Sequence, residues 1–172
     1  NAARLVMEGF ANLCRSYAEA ADRAGKPEIA GACRKIAEAP PQSFREALQL
    51  VWLTYQAFLC EDRYAMAFGR MDQYLAPFYQ RDLENGTLCY DDAVTLLESV
   101  FIKLYEFRRF RGGDEVANIC IGGITGNGED AVNELSYAIL KAVERVRIPG
   151  PNLSARIHRK TADSFVVACL NV

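Results

Sequence analysis

The stretch Val116-Ala117-Asn118-Ile119-Cys120-Ile121, followed by Gly122-Gly123-Ile124-Thr125-Gly126-Asn127-Gly128, decides the fold class of this chain. Its first half is short, apolar and β-branched, the pattern of a buried strand. The glycines form a turn-rich loop, and a helical pattern follows over Asp130 to Arg145. Leu153-Ser154-Ala155-Arg156-Ile157 is a second strand candidate, with another helix starting near Thr161. Strand, helix, strand and helix in that order predict parallel α/β structure. A glycine-rich loop between a strand and a helix must also be tested as a phosphate cradle. Its spacing is G-G-x-x-G-x-G rather than G-x-G-x-x-G, and no Gly-Lys-Ser/Thr follows, so an ordinary connection is expected.

Upstream the pattern is helical. Residues 2 to 24 and 27 to 39 read as amphipathic helices separated by Gly25-Lys26-Pro27, where the proline suits a first helical turn. Pro40-Pro41 forces a break. Ser43-Phe44-Arg45-Glu46 has capping-box spacing: the Ser43 hydroxyl can accept from the third helical N–H while Glu46 reaches back to the cap. The helix it starts, through about Leu59, is apolar nearly all round, with Leu48, Leu50, Val51, Trp52, Leu53 and Phe58. Such a helix is expected to be buried on most sides within a larger body. Asp72 to Leu83 predicts a further helix punctuated by Pro77, with Gly86 as its left-handed cap. Asp91-Asp92 open a helix running to about Phe107, and capping is preferred over a metal site because no third ligand lies nearby in sequence. The basic tract Arg108-Arg109-Phe110-Arg111-Gly112-Gly113 reads as a solvated loop, with an anion clamp as the alternative.

Bulk properties exclude several functions. Twenty basic residues against 22 acidic ones leave a formal charge of -2, so there is no electrostatic footprint for nucleic acid or an anionic membrane. No uninterrupted apolar span approaches the roughly 20 residues of a membrane helix, and the N-terminus lacks the layout of a signal peptide. A cytoplasmic protein is expected. The chain lacks an initiating Met, opens inside a helical pattern at Ala2 to Met7, and closes on Phe165 to Leu170 without a Gly or Pro stop. It is therefore expected to be an internal piece of a larger protein. Six cysteines, at 14, 33, 60, 89, 120 and 169, show no C-x-x-C pair and have only His158 for company. That favours neither a disulfide framework nor a zinc site, and most of them are expected to behave as small hydrophobes. His158, beside Arg156, Arg159 and Lys160, reads as a structural histidine at a strand end, with no nucleophile to pair with it from sequence alone.

The best site candidate from chemistry alone is the acidic turn Cys60-Glu61-Asp62-Arg63-Tyr64. An apolar helix delivers two carboxylates and a phenol into a turn, followed by Ala65-Met66-Ala67-Phe68, read as a short buried run. Carboxylates at the edge of an apolar body are either paired structurally, here with Arg63 or Arg70, or used on a ligand. The residues by themselves favour pairing.

Five pieces then follow one another with compatible spacing: Ser43-Phe44-Arg45-Glu46-Ala47-Leu48-Gln49-Leu50-Val51-Trp52; Phe68-Gly69-Arg70-Met71-Asp72-Gln73-Tyr74 with Pro77-Phe78-Tyr79; Asn118 with Gly122-Gly123; Asp130 with Asn133-Glu134-Leu135-Ser136-Tyr137; and Pro151 through His158. In this order they resemble the glycyl radical enzymes, the relatives of pyruvate formate-lyase, from about Pro40 to the end. The resemblance implies a helix-rich α/β fold, a fragment of a ten-stranded barrel of two five-stranded half-sheets with helices outside. Residues 1–42 would supply outer helices and 43–172 barrel helices and strands. Members of the family carry a backbone glycyl radical, installed by a separate radical S-adenosylmethionine activating enzyme. That radical generates a thiyl radical on a cysteine, which takes hydrogen from the substrate. The resemblance thus implies part of a homodimeric enzyme of anaerobic metabolism. It would dehydrate a small-molecule substrate or cleave its C–C or C–N bond, in the dehydratase or lyase branch rather than as a true formate acetyltransferase. A non-catalytic helical scaffold or interaction domain is the rival reading.

The chain departs from the family's pattern in three places. The thiyl cysteine of the dehydratase and lyase branches stands in Gly-Cys-x-Glu, whereas the residues two beyond the cysteines here are Ser16, Lys35, Asp62, Asp91, Gly122 and Asn171. No catalytic residue, metal ligand or bound cofactor is therefore assigned to these residues. Arg145-Val146-Arg147-Ile148-Pro149-Gly150 only echoes the Arg-Val-x-Gly-Tyr loop of the radical glycine. Relatives acting on diols show Gly-His-Ser-Ile-Ser before the Gly-Arg pair, and here Arg63-Tyr64-Ala65-Met66-Ala67 puts alanine for both serines, which disfavours glycerol or propanediol. By the resemblance, Asp62, Tyr64, Ala65, Asn118 and Ile119 are expected to line the substrate cavity, Asp62 and Tyr64 contacting a more functionalised or cationic substrate.

Overall fold

The Asn1 side chain accepts from the Ala3 N–H at 3.2 Å and so caps α1 (Ala2–Arg23). A computed structural model of the chain describes residues 1–61, 66–111 and 117–172, the side chains of 107–111 excepted. Two compact units result, Asn1–Arg63 and Tyr64–Val172. In the first, α1 packs with α2 (Pro27–Glu38) and α3 (Phe44–Cys60). Cys14 and Ala18 of α1, Cys33 and Ile36 of α2 and Leu53 of α3 form one buried cluster. Burial pushes the Cys14 and Cys33 thiols up, so both stay protonated and pack as small hydrophobes.

The start of α3 follows from its cap. Ser43 Oγ accepts from the Glu46 N–H at 3.2 Å, as its spacing predicts. The Glu46 carboxylate, however, accepts from the Gln42 N–H at 2.7 Å and from Lys35 Nζ at 2.9 Å, so its reach-back includes the residue before the cap and ties α2 to α3. Burial of α3 on most sides was expected within a larger body; in this segment Leu50, Val51 and Trp52 are half-buried and Phe58 is 44% exposed. Within this unit α3 has helical neighbours only on the side of α1 and α2.

The second unit is the α/β part. Strands β1 (Gly69–Arg70), β2 (Asn118–Gly122) and β3 (Asn152–Arg156) lie in that order and are all parallel. Helices α4 (Met71–Tyr74), α5 (Ala76–Glu84) and α6 (Tyr90–Arg111) connect β1 to β2, α7 (Glu134–Val146) connects β2 to β3, and α8 (Asp163–Leu170) follows. Parallel neighbours require such crossovers. The expected helix over 72–83 is two helices because Pro77, lacking an N–H, sits in the first turn of α5. Gly86 closes α5 at φ 67, as predicted. The basic tract Arg108–Arg111 lies on α6 rather than in a loop; its side chains, and Gly112-Gly113, lie outside the described residues.

Two further expectations change. Helix α7 begins at Glu134, not Asp130, because Asn133 caps it: Asn133 Oδ1 accepts from the Ser136 N–H at 3.2 Å while Ser136 Oγ accepts from the Asn133 N–H at 3.0 Å. Asp130 instead forms an antiparallel bridge with Ile124. The run ahead of β1 is less buried than expected, since Ala67 is exposed and Met66 and Phe68 are half-buried. It leads into an edge strand, where Phe68 N–H donates to the Asn118 carbonyl at 2.8 Å.

Candidate functional site

At the ends of β1 and β2 the chain ties itself around one carboxylate. Asp72, with no exposed surface, is the second residue of α4, immediately after β1. Its Oδ2 accepts from the Gly122 N–H and from the Ser136 hydroxyl, each at 2.6 Å. The Asn133 amide donates to the Asp72 carbonyl at 2.8 Å, and Arg70 donates to the Gly122 carbonyl at 2.8 Å. One side chain thereby joins β1, the end of β2 and the start of α7. Asp72 Oδ1 is buried without a hydrogen-bond partner among the described residues. The sequence reading places Asp72 only at a helix start. Its position between the fully buried Met71 and Leu75 is not itself legible, but a carboxylate two residues beyond Gly69-Arg70 was the signal available.

The glycine loop is an ordinary connection in this geometry. Gly122, at φ 69, leaves no room for a side chain: a Cβ there would lie 3.1 Å from the Arg156 carbonyl and 3.2 Å from both Phe165 and Val132. Its N–H, the group that a phosphate would need, is spent on Asp72.

Alternation along β2 sorts its side chains by face. Ile119 and Ile121 have no exposed surface, while Asn118 and Cys120 are half-buried. The strand read as buried is fully covered on one face and half-buried on the other. In the parallel register Asn118 aligns with Asn152, and Cys120 with Arg70 and Ser154, so these residues share the open face. Ser154 Oγ donates to Asn118 Oδ1 at 3.1 Å across that face. No Asp or Glu occurs in any of the three strands. This face can donate hydrogen bonds and orient a ligand, but its described side chains do not form a carboxylate-based acid and base pair.

Asn118 thus stands on the open face, whereas Ile119 projects to the opposite, buried one, so their side chains do not come together. Asp62, Tyr64 and Ala65 lie outside the described residues. His158 is tied down: its Nε2 lies 3.3 Å from Asp130 Oδ1, and its backbone N–H donates to Thr161 Oγ1 at 3.1 Å. Asp91 pairs with Arg145, and Asp92 accepts from Cys89, consistent with structural use of both acids. No group of three or more His, Cys, Asp or Glu side chains that could hold a metal ion occurs among the described residues.

Comparison with known proteins decides the family. Residues 1–172 match the family described as pyruvate formate lyase-like. This chain belongs to that family. It is 39% identical to the "Probable dehydratase YbiW" of Escherichia coli K12 over 96% of the chain and 23% of that protein. It is 33% identical to the trans-4-hydroxy-L-proline dehydratase of Clostridioides difficile, over 91% of the chain and 22% of the relative. A crystal structure of a glycyl radical enzyme from Archaeoglobus fulgidus superposes with a TM-score of 0.78 at 30% identity, over 96% of this chain and 23% of that one. The pyruvate formate lyase-like chain described here therefore spans about a quarter of the length of its relatives. Its helix-rich α/β fold agrees with theirs, and the parallel sheet β1-β2-β3 is the part of that fold its strands contribute.

Proposed function

We propose that these 172 residues are a segment of a glycyl radical dehydratase or lyase acting on a small-molecule substrate. The observation that carries this reading is the family match over the whole chain, joined to superposition on a glycyl radical enzyme along 96% of its length. The radical glycine and the thiyl cysteine are assigned outside these residues, since none of the six cysteines has Glu two positions later. What this segment supplies is framework, one sheet face and the acidic turn before β1. We assign Asp62, Tyr64 and Ala65, with Asn118, to substrate contact, and Ile119 to a backbone role beside Asn118. The enzyme is taken to be a cytoplasmic homodimer that receives its radical from a radical S-adenosylmethionine activating enzyme.

Electron paramagnetic resonance tests the reading. The full-length protein, treated anaerobically with a radical S-adenosylmethionine activating enzyme, is expected to show an organic radical whose splitting collapses when its glycine is deuterated at Cα. Absence of such a signal with an activator proven on a related enzyme counts against the assignment. In the activated protein Asp62→Ala is expected to lower turnover or substrate affinity; an unchanged Asp62→Ala enzyme would remove Asp62 from the site.

A further inference from the structure

We infer that Arg70 and Asp72 are positioning residues: gripping one glycine, Gly122, from its two ends, they fix the register of β1 on β2 and so hold the open face on which Asn118 and Cys120 stand. The inference deepens the reading of that face as part of a glycyl radical enzyme and rests on it.

A strand of two residues does not hold its own register. Gly69–Arg70 pairs only with Ile119 and Cys120, and a ladder this short is marginal by itself. A slip of one residue would turn Arg70 from the open face to the buried one. Contacts outside the ladder supply what it lacks. At one end the Phe68 N–H donates to the Asn118 carbonyl at 2.8 Å. At the other, Arg70 and Asp72 both reach Gly122, two residues beyond the Cys120 with which Arg70 is aligned. The segment around β1 is thus tied along β2 from Asn118 to Gly122, and Gln73 Nε2 extends the tie past the sheet by donating to the Ala131 carbonyl at 2.7 Å.

The grip on Gly122 has a defined geometry. The N–H of a residue belongs to the peptide group before it and its carbonyl to the one after, and each group is planar. Asp72 Oδ2, accepting from the Gly122 N–H at 2.6 Å, and Arg70 Nη2, donating to the Gly122 carbonyl at 2.8 Å, therefore fix two successive planes and the φ of 69 between them. This is the point at which β2 ends. Arg70 Nε is itself buried, so the guanidinium lies against the chain, and the opposite charges of Arg70 and Asp72 end on the same residue. Cys120, half-buried and flanked by β1 through its alignment with Arg70, reports whether β1 stays in place.

The test uses the full-length protein before radical installation and follows iodoacetamide alkylation by peptide mass spectrometry. The exposed Cys89 and the buried Cys14 serve as internal controls for reagent and for unfolding. Arg70→Met keeps an unbranched stem without a donor, whereas Arg70→Lys keeps a single donor, the number that the Gly122 carbonyl receives from Arg70. Arg70→Met is expected to speed Cys120 alkylation about fivefold or more, the effect of one lost hydrogen bond on local opening, with Cys89 unchanged and Cys14 still unreactive. Arg70→Lys is expected to return most of the wild-type rate, a rescue that side-chain bulk alone would not give. Equal rates for Arg70→Met and Arg70→Lys, both native or both raised, overturn the inference. Asp72→Asn acts on Gly122 from the interior and leaves the side chains of the open face untouched; it weakens a charge-assisted bond and is expected to raise the same rate by a smaller factor. A native rate in Asp72→Asn overturns the paired grip, and this variant decides the matter if Arg70→Met unfolds and exposes Cys14. A wild-type protein that acquires its radical while these substitutions leave the Cys120 rate unchanged defeats the inference alone. One that acquires no radical defeats the enzyme reading, whatever the rates.

Discussion

Asp72 shows what a single buried carboxylate does in this chain. Two donors from elements some 50 and 64 residues away in sequence, the Gly122 N–H and the Ser136 hydroxyl, end on the same oxygen at 2.6 Å. Neither donor can turn to water, so removing the acceptor leaves both unsatisfied in the interior. Asp72→Ala is expected to cost about 3 kcal/mol in denaturant unfolding, and Asp72→Asn less, since an amide oxygen still accepts. Equal stability of Asp72→Ala and the native residue would show that the knot carries no weight. The identity of this residue was legible as a helix-opening acid, but its role was not. Local spacing reports what a side chain can do for its own helix, whereas the partners of Asp72 are brought to it by the crossovers that close the sheet.

At the level of the elements, local signals carried furthest where the chemistry is local. Ser43 caps α3, Gly86 closes α5, and Pro27 opens α2, because each acts within one turn of its own position. The start of α7 shifted for the opposite reason. Asn133 and Ser136 satisfy each other across the first turn of α7, and Asp130 is drawn into a bridge with Ile124, so residues 130–133 cannot join the helix. The cap of α3 also carries a pH dependence. Burial by itself would raise the Glu46 carboxyl, but the Lys35 ammonium and the backbone groups of Gln42 and Ser43 outweigh it and hold the group below its ordinary value of 4.5. A folded value below the unfolded one means stability that is complete above about pH 4.5 and lost as the pH falls through the depressed value. Glu46→Gln is therefore expected to cost about 1 kcal/mol at neutral pH, a difference that closes in acid. Urea unfolding of both proteins between neutral and acidic pH measures it, and a gap that does not change with pH would contradict the charge-based account.

On the scale of the whole molecule, the helical unit exposes more apolar surface than an isolated domain keeps. Val6, Met7, Phe10 and Leu13 of α1 and Leu50, Ala57 and Phe58 of α3 wall an open groove of about 630 Å³, with Met7 64% and Phe58 44% exposed. Patches of this kind drive association when nothing covers them. The 172-residue chain expressed alone is expected to self-associate in light scattering, and Met7→Glu with Phe58→Glu to shift it toward monomer. A wild-type chain that is monomeric and cooperatively folded would speak against its being a segment of a longer enzyme. Helical periodicity and turn chemistry were enough to establish the helices, two of the strands and their α/β order, because each of these rests on contacts within a few residues, while the family resemblance came from five motifs in a compatible order. The two-residue strand β1 was invisible, being too short for any periodicity and defined only by its pairing with Ile119 and Cys120. Which face of β2 is buried, the pairing of Asn118 with Ser154, and the convergence of Gly122 and Ser136 on Asp72 were settled only by the folded chain, since the parallel register and the crossovers bring together residues that no local pattern relates.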